Sequence, residues 1–246
     1  MKNFILRTTT LTLIFLKEQC KEPIALFWII LSPCAMYYLI VLSKNGSDHL
    51  EQNYRATAGW YFSYVACSVA LFGFSLYIIG RRESGFIRCF VYDRRSRLIF
   101  LTAQFLACTL IAITYCVIFY LASRPLFGSY DMKGLVEVMV LFYICYLCFC
   151  IPGLIIALLP VSFQTANTLM SVTSFSLLGM GLAGSIRPDS MFEKLNIFNP
   201  IMLANAIMVN GFKPNAVLVI IIILTFIATL GMTHLFFRIN PVWNRH

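Results

Sequence analysis

The stretch RRESGFIRCFVYDRRSR, Arg81–Arg97, decides how this chain is read. It holds six arginines: Arg81, Arg82, Arg88, Arg94, Arg95 and Arg97. Such a segment is too charged for hydrocarbon and too short for a domain. Phe86, Ile87, Phe90 and Val91 recur at helical spacing, which a plain linker would not need. Gly80 and Gly85 allow a turn off the preceding apolar run. The spacing predicts a short amphipathic helix along the membrane surface, one face on the ends of the spans and the other open to a soluble partner. Retention of positive charge on the inner side would explain the arginines alone. It would not explain the aromatic face or the adjacent acid Glu83.

Outward from this stretch the chain is apolar. Of its 246 residues 60% are hydrophobic and only 12% charged, and the mean hydropathy is +0.82. Soluble domains carry roughly 25% charged residues, so an integral membrane protein is expected. Windows of about 20 apolar residues predict six spans, at Ile24–Ser43, Gly59–Ile79, Leu98–Leu121, Leu135–Leu159, Thr168–Ile186 and Asn215–Phe237. Lipid demands internal backbone hydrogen bonding, so the fold class is all-α: one polytopic domain over residues 1–246. With the N-terminus inside, the inner segments hold twelve lysines and arginines against seven outside. Both termini are therefore expected in the cytoplasm.

Two flanking segments carry further expectations. Residues 1–22 are too short to span and are interrupted by Arg7 and a threonine run. Phe4, Leu11, Ile14 and Phe15 share a helical face, which predicts a helix lying on the cytoplasmic surface. Residues 191–212 are apolar but broken by Asn196, Asn199, Pro200, Asn205 and Asn210. Neither half is long enough to cross, so a broken outer hairpin is expected.

The remaining features are weaker. Cys145, Cys148 and Cys150 lie in an apolar run without a nearby histidine or carboxylate, so packing is expected rather than a metal. Gly59, Ser63, Ala66, Ala70 and Gly73, with Gly179 and Gly181 further on, mark close helix approaches. Thr168, Ser171 and Ser174 either line a substrate path or bond to their own helix. Trp60, Tyr61, Phe62 and Tyr64 read as interfacial anchors. No histidine or acid falls near the middle of a predicted span, which disfavours a proton-driven carrier. No metalloprotease or serine-hydrolase motif favours a membrane enzyme.

The order of these parts resembles the permease subunit of a type-2 ABC exporter. The local matches are Arg82-Glu83-Ser84-Gly85, similar to the family's Arg-Glu-x-Gly entering the coupling helix, and Phe198-Asn199-Pro200, similar to the Asn-Pro of its outer hairpin. Lys21-Glu22-Pro23 through Ser32-Pro33 resembles the entry to its first span. The chain departs from the family at Tyr92-Asp93-Arg94, where many members carry a proline.

The resemblance implies a division of labour. The chain has no phosphate loop, so ATP and magnesium would sit on two separate cytoplasmic ABC ATPase subunits, and this chain would bind no cofactor or nucleic acid. Arg82, Glu83, Gly85, Phe86, Arg88 and Phe90 would form the ATPase contact, and Asn199 and Pro200 the outer hairpin. A second permease copy would complete the path for amphipathic or hydrophobic cargo across the cytoplasmic membrane.

Overall fold

The computed structural model describes residues 2–44, 54–91, 93–186, 196–197 and 199–237. Every regular element among them is helical. They are α1 (Lys2–Gln19), α2 (Pro23–Lys44), α3 (Tyr54–Glu83), α4 (Phe86–Phe90), α5 (Arg94–Ser123), α6 (Met132–Leu158), α7 (Phe163–Ile186), α8 (Pro200–Asn210) and α9 (Ala216–Phe236). Four are long and apolar enough to cross a membrane: α3, α5 with the 3-10 turn Arg124–Phe127 that continues it, α6 and α9. The chain is thus a helical membrane protein. Residues 29–42 of α2 form a shorter apolar helix. Residues 191–195 and Phe198 of the expected outer hairpin, and Arg238 and Arg245, lie outside the described residues.

The core is aromatic. Phe62 of α3 meets Phe119 of α5 edge-to-face at 4.8 Å and Phe142 of α6 at 6.2 Å. Tyr37 of α2 closes on Tyr61 at 5.2 Å. Tyr61 and Phe62, expected as interfacial anchors, are therefore buried core residues. Pairing their rings inside the bundle outweighs a place in the aromatic belt.

Helix α1 also differs from expectation. Phe15 and Leu11 are buried against the bundle while Ile14, expected beside them, is half exposed. The polar Thr8, Thr12 and Gln19 face inward, and the Thr8 and Thr12 hydroxyls donate to carbonyls of their own helix. Gln19 donates to the Gly73 carbonyl at 3.3 Å. Gly73 lies ten residues before Glu83, which is about 15 Å along α3. So α1 packs extensively along α5, with its C-terminal end reaching the level of Gly73.

Helix α3 is not α-helical throughout. Val69–Ser75 forms a π-helix, a form that occurs mostly as single turns. Its extra residue widens the turn opposite Gly153 of α6. A Cβ at Gly153 would stand 2.1 Å from Ser75 Oγ and 3.0 Å from Ser75 Cβ. Gly59 allows a similar approach, since a Cβ there would meet Asn205 Oδ1 of α8 at 2.9 Å. Gly179, expected to be a close-packing glycine, faces open space.

Gly153→Ala should lower stability by about 1–3 kcal/mol through overpacking, read as a drop in Tm of the purified protein. Ser75→Ala in the same chain should recover only part of the loss, because the Cβ–Cβ clash survives. Unchanged Tm in Gly153→Ala would contradict the close α3–α6 approach.

Candidate functional site

The arginine-rich stretch is not one surface helix. Arg81, Arg82 and Glu83 complete α3, and Arg94, Arg95 and Arg97 open α5. Gly80 stays helical, and the turn is made by Ser84 and Gly85 alone. Gly85 takes φ 77°, the left-handed region that favours glycine. Only Phe86–Phe90 between them forms the short helix α4. Asp93 then caps α5, its carboxylate accepting from the Ser96 amide at 2.8 Å. The Ser96 hydroxyl and amide hold the Asp93 carboxyl below its ordinary range.

The six arginines point in different directions. Arg82 is fully buried. Its guanidinium donates to the Ala157 and Leu159 carbonyls at 3.0 Å each and to the Val161 carbonyl, and its Nε donates to Glu83 at 2.9 Å. Ala157, Leu159 and Val161 form the end of α6 and the link to α7, where Pro160 offers no N–H. A helix end leaves carbonyls without intrahelical donors, and Arg82 supplies those donors. Arg82 therefore faces the α6–α7 link and not the outer surface. Glu83 is largely covered beside it.

Arg81 points to another side, toward α1. It pairs with Glu18 of α1 at 2.8 Å and lies 3.7 Å from the centre of the Phe15 ring. Phe86 of α4 stands edge-to-face to Phe15 at 6.3 Å. Arg97 donates to the His234 and Leu235 carbonyls at the end of α9, at 2.9 and 3.0 Å. These three arginines tie the corner to α1, to the α6–α7 link and to α9.

What remains for a partner is the outside of α4. Ile87 and Val91 are buried beneath it, while Arg88 and Cys89 are exposed and Phe86 is partly exposed. The side chain of Phe90 lies outside the described residues. Of the six expected contact residues, Phe86 and Arg88 are presented outward, Gly85 forms the turn, and Arg82 and Glu83 brace it from below.

The expected path residues differ in exposure. Thr168 is exposed and donates to the Gln164 carbonyl at 3.1 Å. Ser171 is half-buried, and Ser174 is buried within hydrogen-bonding reach of Cys67 on α3. At the other end of the molecule Asn199 caps α8, its side chain accepting from the Ile201 amide at 3.0 Å and donating to the Leu177 carbonyl at 2.8 Å. Pro200 occupies the first position of α8, where its missing N–H costs nothing.

One groove was not foreseen from the sequence. It encloses about 610 Å³ between α2, α3 and α7. Glu18 and Glu22 mark one end, and Ser68, Phe72 and Leu76 form the α3 wall. Glu22 accepts from the Tyr77 hydroxyl at 2.7 Å. These acids lie in and just after α1, outside every predicted span, so no scan of apolar windows would place them against α3.

Removing the Arg82 guanidinium would leave buried carbonyls without donors, at about 1–3 kcal/mol each. Arg82→Met should therefore lower Tm strongly and expose the 159–163 link to protease. Arg82→Lys should fail to rescue, since an ammonium lacks the fork that reaches several acceptors. Parent-like stability in Arg82→Met would refute this bracing role.

The chain is similar to Protein McbE of Escherichia coli, at 29% identity over 245 residues, covering 96% of this chain and 98% of that protein. No family model matches the chain, and no solved structure matches it.

Proposed function

We propose that this chain is the membrane-embedded subunit of an ATP-driven exporter of the type-2 ABC kind. It would carry amphipathic or hydrophobic cargo, with ATP and magnesium on two separate cytoplasmic ATPase subunits. In this reading the chain has six spans, α2 and α7 completing the four, with both termini on the cytoplasmic side of the cell membrane. A second copy would pair with the first.

One observation carries the reading. Helix α4 presents Arg88 and part of Phe86 outward, yet its base is tied through Arg81, Arg82 and Arg97 to three other parts of the bundle. A charged, aromatic outer face suits a protein contact, and the rigid ties would pass movement of α4 inward.

A carrier driven by an ion gradient is the second reading. Glu18 and Glu22 beside α3 favour it, because ionisable groups set against spans mark ion pathways.

The two readings separate in proteoliposomes. The chain reconstituted with its ATPase should move cargo only when ATP is supplied. Arg88→Glu should cut ATPase co-purification and ATP-driven transport at least tenfold, while membrane insertion and Tm stay at parent values. Arg88 serves better than Glu83 here, since altering Glu83 also disturbs the buried Arg82. Full-rate transport by the chain alone under a proton gradient would remove the exporter reading.

A further inference from the structure

We infer that the groove between α2, α3 and α7 binds a lipophilic cation, its charge held by Glu22 and its apolar body laid along α3. This deepens the exporter reading by naming the charge class of the cargo, though the binding itself needs no ATPase.

The shape of the groove comes first. Its volume of about 610 Å³ lies within the range of small-molecule sites. Tyr64, Ser68, Phe72, Leu76 and Gly80 of α3 all line it, each four residues from the next. In an unbroken α-helix such a row drifts about 40° per step, or about 160° over four steps, and would leave one wall. The π-helical turns of Val69–Ser75 wind less per residue. They take back most of that drift and keep the row on one side. The π segment thus keeps Tyr64, Phe72 and Leu76 on one wall, with Ser68 and Gly80 in line with them.

The charge comes second. Two carboxylates and one guanidinium border the groove. Arg81 is matched by Glu18 and shielded by the Phe15 and Phe86 rings. Glu22 is exposed, and the bond drawn to it comes from the neutral Tyr77 hydroxyl. The pair cancels, which leaves one negative charge facing the groove in a chain of net charge +9. A charge beside apolar walls attracts a cation more strongly than one surrounded by water. An anion of the same shape would be repelled, and a neutral molecule would gain apolar contact only.

Tetraphenylphosphonium and tetraphenylborate share one shape and carry opposite charges, which makes them suitable probes. The purified full chain in nanodiscs of zwitterionic lipid should bind tetraphenylphosphonium saturably. Tetraphenylborate should bind no more than it does to empty nanodiscs. Glu22→Gln should weaken the cation about tenfold, equivalent to about 1.4 kcal/mol. Leu76→Trp, which fills the groove, should abolish binding. If that variant fails to fold, judged by size exclusion, Glu22→Gln still decides.

Equal binding of both probes, an unchanged affinity in Glu22→Gln, or no saturable binding at all would overturn the inference. So would complete Ser32→Cys cross-linking between two copies that excludes the probe, since the groove would then belong to a subunit interface. Saturable cation binding with no ATP-dependent transport would retain this site and remove the exporter reading. ATP-dependent transport of neutral cargo without cation binding would do the reverse.

Discussion

The structure depends on one buried cation. Arg82 sits without solvent contact at the end of a membrane-length helix, where an unpaired charge would be untenable. It is tolerated because three carbonyls and one carboxylate surround it. Those carbonyls need it equally, since α6 stops there and Pro160 contributes no donor. This mutual requirement fixes the end of α3 against the α6–α7 link. Once Arg82 is committed inward, its neighbour Arg81 leaves the helix about 100° away and reaches α1. The position of α1 is therefore a consequence of how Arg82 is satisfied.

A second constraint acts higher in α3. Gly153 lets α6 approach so closely that a Cβ there would clash with Ser75, the last residue of the π turn Val69–Ser75. The Gly73 carbonyl is met by the Gln19 amide at 3.3 Å and the Cys108 thiol at 3.1 Å. Gln104 donates to the same thiol at 3.3 Å. A buried cysteine thus acts as a polar link here, although an apolar context suggests a small hydrophobe.

The apolar runs make the membrane class and the helical architecture legible in the sequence. The loop ends were legible too, because Gly85 and Pro200 leave few alternatives: the first permits a left-handed turn, the second a helix start. The division of the six arginines was not. Arg82 and Arg88 read alike in sequence, and both fit retention of inner charge. What separates them is a set of carbonyls some seventy-five residues away, which no local period reports. The same holds for Thr8, Thr12 and Gln19. They look like interruptions of an amphipathic face, yet they face the bundle, because the Thr8 and Thr12 hydroxyls bond within their own helix and the Gln19 amide donates to the Gly73 carbonyl of α3. Gly179 errs in the opposite sense: its spacing fits a helix contact, but no neighbour occupies that side.

A five-residue helix such as α4 cannot hold its own shape, since helix nucleation is costly and few bonds follow it. Its order comes from below, from Ile87 and Val91 against the bundle, and from the rings of Phe15 and Phe86. Gly85 leaves it a turn with open space around it. A load on the outer face of α4 would therefore not spread along a stiff rod. It would be carried by the few contacts that anchor it, chiefly the Phe86–Phe15–Arg81 group. That group includes the Glu18 partner, and Glu18 borders the groove. In the proposed reading, pressure on α4 and occupancy of the groove would both act on this ion pair, and a link between them would need no longer chain of residues than these four.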